Sequence, residues 1–298
     1  MKQMLCFFLM VIIPASCAFS QTNLPLWKTL PEAPPMPKAD QSGLATVNNV
    51  SLYYGIFNKK GKEPVILLHG AFVSSDIWGF EVPLLMKTHQ VIVADSRGHG
   101  RSSMPDQAFT YNLMATDIIQ LMDELKIRKA SIVGWSDGGI IGMILAIRHP
   151  ERINKLFTFG ANYNLSGYKT QAPDTALSAK FMTRAQKDYR SLSPTPGDFT
   201  VLKKALGKMY NTEPDLKPAQ IKTIRSPTVI AYGQYEQFIK AEHFQELARL
   251  IPGAKIVIIP NVGHGGPLQD PVRFHQAVIS LLNGNKMTAK YNKQQRLR

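Results

Sequence analysis

The sequence predicts an α/β fold: a mostly parallel, doubly wound sheet with an inserted helical cap. Three observations carry this. Short runs that are apolar throughout recur between turn residues, as strands buried on both faces of a parallel sheet require. Segments of helical period lie between them, so each strand returns to the sheet by a right-handed crossover. One stretch, residues 162–224, breaks the alternation with helical pattern and no strand candidate, and it is too long for a simple loop.

The elements follow in chain order. Lys2 precedes an apolar run from Met4 to Ile13, then Pro14 and small residues, which is the layout of a secretory signal peptide. Ala18-Phe19-Ser20 fits its cleavage site, so residues 1–20 would be removed and the mature chain would be periplasmic or secreted. The apolar run is too short to span a bilayer, and no transmembrane helix is expected in the mature chain. Both cysteines, Cys6 and Cys17, fall inside the leader, which leaves neither a disulfide nor a thiolate metal site. Pro14-Ala15-Ser16-Cys17 also resembles a lipoprotein box, except that Pro14 stands where an aliphatic residue is usual; a lipid anchor at Cys17 is the alternative.

Residues 21–42 are rich in proline (Pro25, Pro31, Pro34, Pro35, Pro37) and read as an extended leader. Alternating segments at 45–47 and 50–57 straddle Asn48-Asn49 as an antiparallel hairpin. Buried strands follow at 65–68, 91–94, 131–133 and 156–159, with a helix at 113–125 whose Leu113, Ile118, Leu121, Met122 and Leu125 share a side. Helices at 175–189 and 199–210, parted by Ser193-Pro194-Thr195-Pro196-Gly197, build the cap. The sheet resumes at 228–231 and 255–259, with helices at 241–250 and 271–282. Residues 43–161 and 225–283 thus form the core, 162–224 the cap, and 284–298 a basic tail.

The 298 residues carry a formal net charge of +14, with 44% hydrophobic residues to fill a core. Part of the charge is local, since Lys286, Lys290, Lys293, Arg296 and Arg298 crowd the tail without an acid. A nucleic-acid partner would need a recognition motif as well as a basic face, and the chain has none. Its basic residues read as a solvated face.

Gly134-Trp135-Ser136-Asp137-Gly138 follows the apolar run 131–133 and precedes a buried helix. A strand that turns sharply into a helix forces strained backbone on its middle residue and small residues around it, which marks Ser136 as a nucleophile lifted above the sheet edge. A serine hydroxyl needs a base, and the base an orienting acceptor. His264, just past the strand at 255–259, and Glu236, just past the strand at 228–231, supply them. His69-Gly70-Ala71-Phe72 follows the strand at 65–68, where a glycine lets the backbone turn. The amides of Ala71 and Asp137 would then form an oxyanion hole, worth about 3 kcal/mol per donor. His69 reads as a buttress of that loop, and Asp95 as the anchor of the turn holding Arg97 and His99.

Residues 65–72, the Asp95-Ser96-Arg97-Gly98-His99-Gly100-Arg101-Ser102 loop, the pentad and the His264 loop resemble the α/β-hydrolase superfamily over about residues 48–282. Gly134-Trp135-Ser136-Asp137-Gly138-Gly139-Ile140 and Gly160-Ala161-Asn162 are similar to the biphenyl hydrolase-like and valacyclovir hydrolase group, and more loosely to enol-lactone hydrolases. The chain order serine, acid, histidine is the one such enzymes use. One departure is Glu236, where aspartate is usual; the other common acid position carries Asn162.

The resemblance implies a serine hydrolase acting on a small carboxylic ester or lactone, with no metal or organic cofactor. The Asp137 carboxylate would meet a substrate cation or simply favour its helix N-terminus, and Phe72 would touch substrate. Tyr163, Tyr168, Phe181, Met182, Tyr189, Met209 and Tyr210 would line a pocket under the cap or form the cap's own core. A C–C bond hydrolase, a cofactor-free perhydrolase and a non-catalytic binding protein are the alternatives on the same residues.

Overall fold

A computed structural model describes residues 24–61, 63–170 and 175–284. The expected signal peptide, with Cys6 and Cys17, and the tail beyond Gly284 lie outside the described residues.

The first two strands, β1 (Gln41–Val47) and β2 (Val50–Phe57), form the antiparallel hairpin. Asn48 and Asn49 turn the chain at φ 42° and 63°, a left-handed conformation that asparagine tolerates and that matches the strand twist. The sheet continues with β3 (Pro64–Leu68), β4 (Gln90–Ala94), β5 (Ala130–Trp135), β6 (Ile153–Phe159), β7 (Thr228–Gly233) and β8 (Lys255–Ile259). Its order is β1-β2-β4-β3-β5-β6-β7-β8, with every pair from β4 to β8 parallel. Among the described strands only β2 runs against the rest, since it pairs antiparallel with both β1 and β4.

The apolar runs serve two cores at once, because successive strand residues point to opposite faces. In β3, Ile66 and Leu68 enter one core with Ile92, Ile132 and Leu156; Val65 and Leu67 enter the other with Val93, Val133 and Phe157. Helices cover both faces: α1 (Val82–Leu85), α2 (Tyr111–Glu124), α3 (Asp137–Arg148), α7 (Ala241–Leu250), α8 (Gly266–Gln269) and α9 (Pro271–Leu282). The Thr110 side chain accepts from the Leu113 amide and starts α2, and Asp270 does the same for α9 through Arg273.

Between β6 and β7 come α4 (Thr175–Leu192), α5 (Phe199–Tyr210) and α6 (Pro218–Ile221), and the described residues of this segment add no strand to the sheet. Among the described residues no helix is long and apolar enough to cross a membrane. Apart from a single 3-10 turn at Leu26–Lys28, residues 24–40 carry no regular helix or strand, as their prolines imply, and they also pack on the body. Arg184 of α4 donates to the carbonyls of Leu30 and Pro31, and the Asp40 amide donates to the Ile56 carbonyl.

Candidate active site

Ser136 joins β5 to α3 with φ 54° and ψ −119°, a conformation that costs a residue with a Cβ about 1–3 kcal/mol. Surrounding bonds hold it there. Its amide donates to Phe159 on β6 at 2.8 Å, and its carbonyl accepts from the Gly139 amide at 2.8 Å. The serine therefore stands at the N-terminus of α3, on the positive end of the helix dipole.

The His264 Nδ1 lies 2.9 and 3.0 Å from the two carboxylate oxygens of Glu236. Glu236 is buried in the turn after β7, and its Oε1 also accepts from the Phe238 amide at 2.9 Å. A carboxylate across Nδ1 keeps the proton on that nitrogen and leaves the Nε2 lone pair free to accept one. The longer glutamate side chain thus reaches the histidine from the position where aspartate is usual. Trp135 Nε1 donates to the His264 carbonyl at 2.7 Å, and the Phe238 ring meets the imidazole edge-on at 4.7 Å. These contacts fix both the loop and the ring.

Gly70, in the loop after β3, passes so close to the serine that a Cβ there would stand 3.1 Å from the Ser136 Cβ. Phe72 follows in the left-handed region at φ 63°. His69 supports the turn: its Nε2 accepts from the Ser96 amide at 2.9 Å, and its Nδ1 donates to the Gly70 carbonyl at 2.7 Å. Burial pushes the His69 pKa down and keeps the ring neutral, as those two bonds require. Asp95 anchors the neighbouring turn through the amides of Ser75 and Arg101. Arg97 is buried in a bidentate pair with Asp117, at 2.6 Å for both bonds, and takes no place at the site.

Ala71, Phe72, Ser136, Asp137 and His264 all line one cavity of about 510 Å³. Its opposite wall comes from the segment between β6 and β7, with Tyr168, Leu177, Phe181, Met182 and Tyr210. Tyr163, Tyr189 and Met209 are buried in the core instead. The Asp137 carboxylate accepts from the hydroxyls of Tyr111 and Tyr210, both at 2.7 Å. Desolvation by burial raises its pKa, and the two hydroxyls oppose that rise.

The structure thus brings Ser136, His264, Ala71, Asp137 and Phe72 to one cavity and Glu236 to the back of His264. Sequence reasoning missed Tyr111, Gln237, Gln269 and the cavity residues Thr29 and Leu30, which carry no local signal. His243 takes the Tyr163 amide on Nε2 and stacks on that ring at 4.3 Å, a packing role. Among the described residues no cluster of three histidine, cysteine, aspartate or glutamate side chains is arranged to hold a metal.

A family model described as the alpha/beta hydrolase fold matches residues 63–205. The 3-oxoadipate enol-lactonase 2 of Acinetobacter baylyi is 32% identical over 255 residues, covering 80% of this chain and 95% of that protein. The serine hydrolase BPHL of Homo sapiens is 27% identical, covering 81% of this chain and 86% of its own. A meta-cleavage product hydrolase from Pseudomonas fluorescens shares the fold at a TM-score of 0.68 and 24% identity, covering 83% of this chain and 98% of that one. The enol-lactonase match runs nearly end to end at an identity too high for shared architecture alone, so the chain belongs to the alpha/beta hydrolase family and is an enzyme of that class.

Proposed function

We propose that this hydrolase is exported and cleaves a small carboxylic ester or lactone through a Ser136-His264-Glu236 triad. The observation that carries the reading is the 2.9 Å contact from His264 to buried Glu236, on a histidine that shares its cavity with a serine at positive φ. In the first half-reaction His264 Nε2 takes the Ser136 proton as Oγ attacks the carbonyl carbon. The amides of Ala71 and Asp137 receive the developing oxyanion, and neither donates to a backbone acceptor among the described residues. The same histidine then protonates the leaving alcohol, and the acyl group stays on Oγ. Water, activated by His264, attacks the acyl-enzyme and releases the acid.

The cavity supports a small substrate with an apolar part. Its volume falls in the range of small-molecule sites, and Leu30, Phe72, Phe181, Met182 and Leu268 line it. The name of the enol-lactonase relative supports the lactone half of the reading. Export rests on the charged, apolar and small-residue layout of residues 1–20.

A fluorophosphonate probe tests the nucleophile directly. Ser136 is expected to label in the folded protein, and Ser136→Ala to lose both labelling and turnover of p-nitrophenyl butyrate. Absence of label on Ser136 in folded, unmodified protein refutes the triad. Cell fractionation tests export, with the expected product beginning near Gln21.

A further inference from the structure

The residues upstream of β1 make contacts that a linker does not make. Thr29 and Leu30 line the cavity beside Ser136 and His264. Two glutamines tie the same stretch to the histidine loop. Gln237 accepts from the His264 amide at 2.7 Å while its Nε2 donates to the Trp27 carbonyl at 3.1 Å. Gln269 repeats the arrangement one residue away, accepting from the Gly263 amide at 2.7 Å and donating to the Thr29 carbonyl at 2.9 Å.

Other contacts press the stretch into place. Trp27 stacks on Tyr235, the neighbour of Glu236, at 5.1 Å. On the far side Arg184 of α4 donates to the carbonyls of Leu30 and Pro31. Gly79 lets the chain pass, since a Cβ there would stand 1.8 Å from the Pro34 carbonyl oxygen.

The consequence is physical. The terminal torsion of a glutamine is broad, so its amide is oriented by what each end binds. Here one end binds the loop that carries the base, and the other binds carbonyls at residues 27 and 29. An acid-base pair must be held to a fraction of an ångström to act.

We infer that residues 26–37 form a strap that is part of the working site. Through Gln237 and Gln269 it positions the His264 loop, and through Leu30 it limits the acyl group that the cavity admits. The inference rests on the triad reading above. Gln237 and Gln269 are positioning residues, and Leu30 is a specificity residue.

The test uses the full chain and p-nitrophenyl esters of increasing acyl length. Gln237→Met and Gln269→Met keep side-chain length and remove both bonds. Each should lower kcat roughly ten-fold or more with KM within about two-fold, since geometry rather than binding is lost. Gly79→Ala, which touches no cavity residue, should lower kcat in the same way by displacing the strap at Pro34. Leu30→Ala should move the preferred acyl chain longer and Leu30→Trp shorter. Leu24→Ala, on an exposed residue outside the strap, should leave rate and profile unchanged.

Parent kcat in both glutamine variants, or one chain-length profile for all Leu30 variants, overturns the strap. These failures are distinct from failure of the triad. An unmodified protein that neither labels nor turns over any ester sinks the triad reading; active protein with indifferent variants sinks the strap alone.

Discussion

Asp137 joins three parts of the molecule at one residue. Its amide stands at the start of α3, and its carboxylate accepts from Tyr111 of α2 and from Tyr210 at the end of α5. Burial, and then the Asp137 charge, raise the pKa of both tyrosines well above the usual range, so at neutral pH they remain donors. Each carboxylate oxygen already holds one hydroxyl, which makes the side chain a tie between the segment after β6 and the core. Asp137→Asn keeps one good acceptor and loses the other. We expect kcat/KM to fall roughly ten-fold, about 1.4 kcal/mol, for neutral esters and cationic aminoacyl esters alike. A loss confined to the cationic esters would instead place a substrate cation on the carboxylate. The sequence announced Ser136, Glu236 and His264 because each follows an apolar strand. It was silent on Tyr111 and offered Tyr210 only as a pocket or cap-core residue, because Asp137, the partner of both, lies 26 and 73 residues away from them.

The strands from β3 onward were legible because burial on both faces writes a continuous apolar run, and the hairpin because its residues alternate. All eight expected strands are present, although β1 begins at Gln41, four residues before the expected start and inside the stretch read as leader. Helix α1 was not legible, since four residues show no period. The aromatic residues after β6 split between cavity and core, a division that periodicity cannot make when both destinations are apolar. The junction of β5 and α3 depends on a close approach rather than on pattern. A Cβ at Gly138 would stand 2.1 Å from the Leu68 carbonyl oxygen, where the end of β3 meets the first turn of α3. Gly138→Ala must push the helix off the strand, which moves both the serine and the Asp137 amide. Expected are a loss of about 1–3 kcal/mol of stability by urea unfolding and a fall in kcat larger than that in Ser136 labelling with a small phosphonate. An unchanged unfolding midpoint would show that the helix can shift without cost.

At the scale of the whole molecule, the contacts hardest to read were those from the proline-rich stretch to the histidine loop, which join residues 210 and 240 positions apart. Composition gave that stretch an extended backbone, and only the assembled sheet gave it a surface to lie on. Burial also sets how the molecule responds to acid. It pushes the pKa of His99 down to about 3 and that of His243 to about 4, and His243 must stay neutral to accept the Tyr163 amide. Both values lie below the unfolded value near 6.5, so these histidines contribute stability that is present above pH 6.5 and lost as pH falls toward the folded values. Between those limits the unfolded chain binds protons that the folded chain refuses. Each such proton costs about 1.4 kcal/mol per pH unit. His243→Phe keeps a ring against Tyr163 but removes the titrating nitrogen. It should lower stability at pH 7.5, where the Tyr163 amide loses its acceptor, and flatten the decline between pH 6.5 and 4.5 by one proton. Urea midpoints at pH steps across that window read both effects, and parallel slopes for parent and variant would show that His243 takes up its proton without unfolding the protein.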